Sequence, residues 1–125
     1  MEGQEANYVK YGDKYKVDPL LAVAIAFHES KYCLAYADWH TNKYHNCAGL
    51  MNGGQENGLI TFDNFDQFIE SHVKLLANYI YGDGRDKIST IGMKYAPIDS
   101  HFLNSSWVGS VTIKYHQLWS IVDKE

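Results

Sequence analysis

Glu29 is the residue of this chain best placed to do chemistry. It follows an apolar run, Leu20, Leu21, Val23, Ala24, Ile25, Ala26 and Phe27, and stands between His28 and Ser30. A carboxyl at the lip of a buried segment is partly desolvated, and desolvation raises its pKa. A carboxylic acid that stays protonated near neutral pH on a rigid element is suited to general-acid catalysis. The competing reading is that Glu29 is the first exposed residue of a helix's last turn. A second group of reactive side chains is His28, Cys33, His40, His45 and Cys47. Zinc sites usually draw their ligands from tight pairs such as C-x2-4-C. The pattern here, C-x6-H-x4-H-x-C, matches no common zinc knuckle, and no metal site is expected. Cys33 and Cys47 can form one disulfide or remain as two thiols.

The element that must position Glu29 is the segment over residues 18–33. Asp18 is a ready N-cap and Pro19 suits the first helical position. A helix apolar on all faces must be wrapped by the rest of the domain. Its nine residues from Pro19 to Phe27 fall far short of the ~20 that span a bilayer. Residues 3–16 read as a short amphipathic helix or an irregular arm, with Gly12 weakening the helix. Residues 34–58 are irregular and glycine-bearing, and residues 50–62 read as a small β-hairpin around a glycine-rich turn. Asp63 is expected to cap the next helix, whose Phe65, Phe68, Ile69, Val73, Leu76 and Ile80 recur at helical spacing. A short helix over residues 86–95 stops before Pro97. The last helix is capped by Asn104 or Ser105 and buries Trp107, Val108, Val111, Tyr115, Leu118, Trp119 and Val122.

With 125 residues, 46% of them apolar, the chain is expected to form a single domain over residues 1–125 with a real core. Its net charge of −4 and 11 scattered Lys and Arg offer no basic field for nucleic acid. Tyrosine alone contributes ten residues, and exposed Tyr and Trp rings often line grooves. Met1 leads directly into the polar MEGQEA with no apolar core of a signal peptide. A domain cut from a longer protein, or a protein exported without such a signal, fits that start.

Three blocks together resemble the lysozyme-like superfamily, and within it the peptidoglycan glucosaminidases. They are DPLLAVAIAFHES, the turn Asn46-Cys47-Ala48-Gly49-Leu50-Met51, and a tail made of ITFDNFDQFIESHVKLLANYI, ISTIGMKYAP and LNSSWVGSVTIKYHQLW. The first two blocks are shared with lytic transglycosylases; the tail is the more specific. The resemblance implies a mainly α (α+β) fold, a lysozyme-like helical domain with a small β-hairpin after the central catalytic helix.

The resemblance also implies roles. Glu29 matches the general acid, which protonates the leaving glycosidic oxygen, and Tyr95 matches a tyrosine that orients substrate or stabilises an oxocarbenium-like transition state. Glycoside hydrolysis ordinarily uses two carboxylates, and Glu56, in the hairpin turn, is the best-placed second one. Substrate contacts are expected from Asn46, Gly49, Leu50 and Met51 of the turn and from the rings of Tyr32, Trp39 and Trp107. The expected partner is the glycan strand of bacterial peptidoglycan, met outside the cell as an autolysin, a phage lysin or a virion enzyme. No cofactor, no membrane span and a monomeric state are expected. Two other readings stay open. One is a lytic transglycosylase or muramidase working with a single acid. The other is a non-catalytic module that grips wall glycan on its aromatic faces. Where many relatives have Asn-Pro-Gly-Gly or Asn-Leu-Phe-Gly, this chain has Asn46-Cys47-Ala48-Gly49, a departure that bears on subsite preference.

Overall fold

The computed structural model describes residues 3–30, 45–48, 50, 60–95 and 101–123; for residues 30, 95, 101–105 and 123 it describes the backbone alone. Of the described residues 76% are helical and none lies in a strand, so the protein is mainly α. The helices are α1 (Glu5–Tyr15), α2 (Pro19–Ser30), α3 (Phe65–Ala77), α4 (Ile88–Tyr95) and α5 (His101–Asp123), with a π-helical turn, Asn78–Gly82, continuing α3. The expected β-hairpin falls mainly on residues 51–59, outside the described residues. At its base the Ile60 N–H donates to the Leu50 carbonyl at 2.9 Å.

Helix α2 begins where the sequence places it. Asp18 Oδ1 accepts from the Leu20 N–H at 2.9 Å, satisfying a backbone donor that the first turn leaves open. Ala22, Ala24, Ile25 and Ala26 are fully buried, and α1, α3 and α5 all pack on α2. An all-round apolar helix thus finds cover on several sides.

Helices α2 and α5 run antiparallel. Tyr115 OH donates to Asp18 Oδ2 at 2.5 Å and Trp119 Nε1 reaches the same oxygen at 3.3 Å. At the other end Trp107 Nε1 donates to Glu29 Oε1 at 2.8 Å. Eleven residues from Asp18 to Glu29 and twelve from Trp107 to Trp119 each cover about 17 Å at a helical rise of ~1.5 Å per residue. The two anchor points therefore match in length.

Helices α1 and α3 run parallel. Tyr11 donates to Asp66 Oδ1, and one turn later Tyr15 donates to Glu70 Oε2 at 2.7 Å, joined there by Lys14 Nζ at 2.7 Å. Both tyrosine pairs keep the same sequence offset of 55, which is what parallel helices in register require. Gly12, the residue that weakens α1 on propensity, is buried at the turn into α2. A Cβ there would lie 2.7 Å from the Val17 carbonyl oxygen and 3.1 Å from Pro19 Cδ. Close approach of the two helices demands a glycine.

Two boundaries and the cover of one apolar stripe differ from the sequence expectation. The cap of α3 is Asn64, not Asp63: its Oδ1 accepts from the Gln67 N–H at 2.9 Å, while Gln67 Oε1 accepts from the Asp63 N–H at 3.1 Å. Gln67 is the better reciprocal partner because it can both accept and donate. Helix α5 starts at His101, before Asn104 and Ser105. Its apolar stripe is covered at Trp107 and Val111 but opens toward the C-terminus, where Trp119 is 39% and Val122 44% exposed.

Candidate active site

The site is built at the C-terminal end of α2. Glu29 is half-buried there, and burial raises its pKa above the ordinary carboxylate value of 4.5. The Trp107 hydrogen bond opposes that rise, because an N–H aimed at a carboxylate favours its charged form. Burial is the larger influence, so the carboxyl keeps its proton to higher pH than an exposed glutamate.

Trp107 is itself 3% exposed. The sequence reading places it both in the buried stripe of α5 and among the stacking faces; in the structure it is a core residue whose one polar atom points at the acid. The edge of His28 meets its ring with centroids 6.0 Å apart. Its other support is Gly92 of α4. A Cβ on Gly92 would lie 2.9 Å from Trp107 Cε3, 3.1 Å from Cζ3 and 3.0 Å from Val108 Cγ2. A glycine in a helix interior costs about 1 kcal/mol against alanine, and here the missing methyl is the space that the indole occupies. Sequence reasoning places the ISTIGMKYAP block on a helix without finding this role for its glycine. The available signal was the poor helix former in mid-helix.

The turn after α2 carries a second piece of architecture. Asn46 is fully buried. Its Oδ1 accepts from the Leu50 N–H at 2.9 Å, and its Nδ2 donates to the carbonyls of Leu50 at 2.9 Å and Ile60 at 3.0 Å. The side-chain amide thereby closes the neck of the segment over residues 51–59. These bonds commit both amide hydrogens and the oxygen to backbone, so Asn46 acts on the shape of the turn. Leu50 is buried in the core beside it, 8% exposed. His45 Nδ1 donates to the Phe62 carbonyl at 2.9 Å and tightens the same neck.

Cys47 is disulfide-bonded and fully buried, which removes it as a metal ligand or nucleophile. The chain's other cysteine, Cys33, lies three residues beyond the end of α2. Among the described residues no group of His, Cys, Asp and Glu is arranged to hold a metal ion.

The structure brings Glu29 and Trp107 into contact across 78 residues of chain. It places Asn46 and Leu50 together at the neck. Tyr95 is the last residue of α4, three positions beyond Gly92, and its side chain lies outside the described residues. Tyr32, Trp39, Gly49, Met51 and Glu56 lie outside them as well. Among the described residues no helix is long and apolar enough to cross a membrane. No protein family, no curated protein and no solved structure matches this chain.

Proposed function

We propose that this domain cleaves the glycan strands of bacterial peptidoglycan, outside the cell, by hydrolysis of the β-1,4 bond on the reducing side of N-acetylglucosamine. The observation that carries the reading is the state of Glu29. It is a carboxyl on a rigid, buried helix, raised in pKa by burial and held at one oxygen by a tryptophan N–H. A carboxyl that keeps its proton to higher pH than an exposed glutamate can protonate the glycosidic oxygen as the C–O bond breaks. The positive charge then develops on the sugar ring, and Tyr95 is the proposed residue that stabilises it. Glu56 is the proposed second carboxylate, acting as base or nucleophile on the opposite face of the ring.

A single-acid course is the second reading. In that course an internal hydroxyl of the substrate replaces water, as in lytic transglycosylation.

Digestion of purified peptidoglycan by the wild type, Glu29→Gln and Glu56→Gln, with mass spectrometry of the products, tests both readings. New reducing-end N-acetylglucosamine, lost in Glu29→Gln, is the expected result. 1,6-Anhydromuramic ends with activity retained in Glu56→Gln would replace hydrolysis by the single-acid course. Activity surviving in Glu29→Gln would remove Glu29 as the acid. Binding without cleavage by the wild type would make the domain a wall-glycan binder.

A further inference from the structure

Glu29 offers two oxygens, and the structure treats them differently. Oε1 accepts from Trp107 Nε1 at 2.8 Å. Among the described residues no group bonds Oε2. An indole N–H is a donor only, so Oε1 must present a lone pair to it. In the neutral acid the proton then sits on Oε2. After the proton leaves, the same N–H faces a carboxylate and the bond strengthens, because hydrogen bonds to ionised acceptors are about twice as strong as neutral ones.

The indole is fixed in turn. A Cβ on Gly92 would lie 2.9 Å from its Cε3, and the indole and His28 rings meet in a T-shaped contact. Trp107 is buried and lies near the start of the long α5, whose other anchor is Asp18 at the far end of α2. A side chain seated in this way cannot follow a mobile acid; the acid is held to the indole.

We propose that Trp107 is the positioning residue of the acid, that its N–H assigns the transferable proton to Glu29 Oε2, and that Gly92 is the seat which makes this possible. This inference rests on the reading of Glu29 as a general acid. Trp107 touches the acid and not the substrate, so it works through Glu29. Other titratable groups come to this end of α2. His28 sits beside Glu29 on its own helix, and Lys114 of α5 holds its Nζ 3.9 Å from the Phe27 ring centroid. Neither these nor any charge from α1, α3 or α4 is among the influences on Glu29.

The test uses the intact protein as wild type, Trp107→Phe and Gly92→Ala, with circular dichroism to follow folding. Two quantities are read: the carbon-13 NMR titration of the Glu29 carboxyl, and kcat and KM on purified peptidoglycan as a function of pH. Trp107→Phe keeps a ring and removes the donor. It is expected to move the Glu29 midpoint upward, to carry the kcat–pH profile with it, and to lower kcat about tenfold or more with KM unchanged, the scale of a hydrogen bond to a charged group. Gly92→Ala displaces the indole and is expected to move both readouts in the same direction. It decides the matter if Trp107→Phe does not fold. A midpoint and pH profile unmoved in both variants would overturn the proposal, because a purely structural tryptophan would change only stability. A shifted midpoint in a protein that cleaves no glycan would retain the Trp107–Glu29 coupling and overturn the hydrolase reading instead.

Discussion

The phenol of Tyr115 donates a 2.5 Å hydrogen bond to Asp18 Oδ2, while Oδ1 of the same carboxylate caps the first turn of α2 through the Leu20 N–H. One side chain therefore starts the helix that carries Glu29 and fastens it to the helix that carries Trp107. Loss of a cap costs ~1 kcal/mol, and loss of a hydrogen bond to a charged group costs ~1.5 kcal/mol or more. Asp18→Ala is expected to lose about 2–3 kcal/mol and to lower Tm by about 10 °C. Tyr115→Phe should cost less in the Asp18→Ala background than in the wild type. A double-mutant cycle by urea denaturation reads that difference as a coupling of about 1 kcal/mol; additive costs would show that the bond contributes nothing.

Much of the scaffold was legible from local pattern. Asp18 and Pro19 mark the start of α2, the apolar run to Phe27 marks its burial, and the 3.6-residue spacing of Phe65 to Leu76 marks α3. Caps and ends were less legible, since Asp63 and Asn64 are both good caps and the choice between them turns on Gln67. The site itself depends on contacts that no periodicity encodes. Trp107 lies on the apolar stripe of α5 like any core ring, and only its 2.8 Å bond to a residue 78 positions away distinguishes it. Gly92 is of the same kind: its helix is predictable, whereas the reason for its missing side chain is a neighbour from another helix. Asn46 is expected as a substrate contact only through the resemblance of its turn, and no sequence pattern shows that its buried amide joins Leu50 to Ile60.

That amide gives a second prediction. In Asn46→Ala the Leu50 N–H loses its side-chain partner at a buried position and the Ile60 carbonyl loses its own at a partly buried one. An unsatisfied buried polar group costs ~1–3 kcal/mol, so a loss of about 3 kcal/mol is expected. Hydrogen exchange localises it. The Leu50 amide should lose protection far more than amides in the middle of α3, and protection retained at Leu50 would mean that another group takes over from Asn46.

His72 sets a pH dependence. It is fully buried in α3 with its ring stacked on Phe68, centroids 5.6 Å apart, and burial lowers its pKa from 6.5 to about 4. Its folded pKa is depressed, so between these values the unfolded chain binds the proton and the folded one does not. Stability is whole above about pH 6.5 and falls as pH drops toward about 4. For a shift of this size the linked loss is about 3 kcal/mol. Urea unfolding at pH 7 and pH 4.5 should show this fall in the wild type and a smaller one in His72→Leu. Equal falls in the two proteins would assign the acid sensitivity to other groups.

Glu29 has the opposite sign. Burial raises its pKa above 4.5, so the folded protein holds the proton where the unfolded chain has already released it. Stability is therefore present at low pH and is lost as pH rises through the folded pKa. At neutral pH the wild type bears the cost of a desolvated carboxylate that the Trp107 bond offsets only in part. Glu29→Gln removes that cost while keeping size and an oxygen that can accept from the indole N–H. The variant is expected to be inactive and yet to gain on the wild type as pH rises. The margin in Tm between Glu29→Gln and wild type should be more favourable to the variant at pH 7 than at pH 4. Active sites commonly trade stability for function in this way. Thermal unfolding of both proteins across that range measures the margin. A margin that is flat with pH would mean that Glu29 ionises in the folded protein as it does in the unfolded chain, and the acid would lose the property on which its proposed role depends.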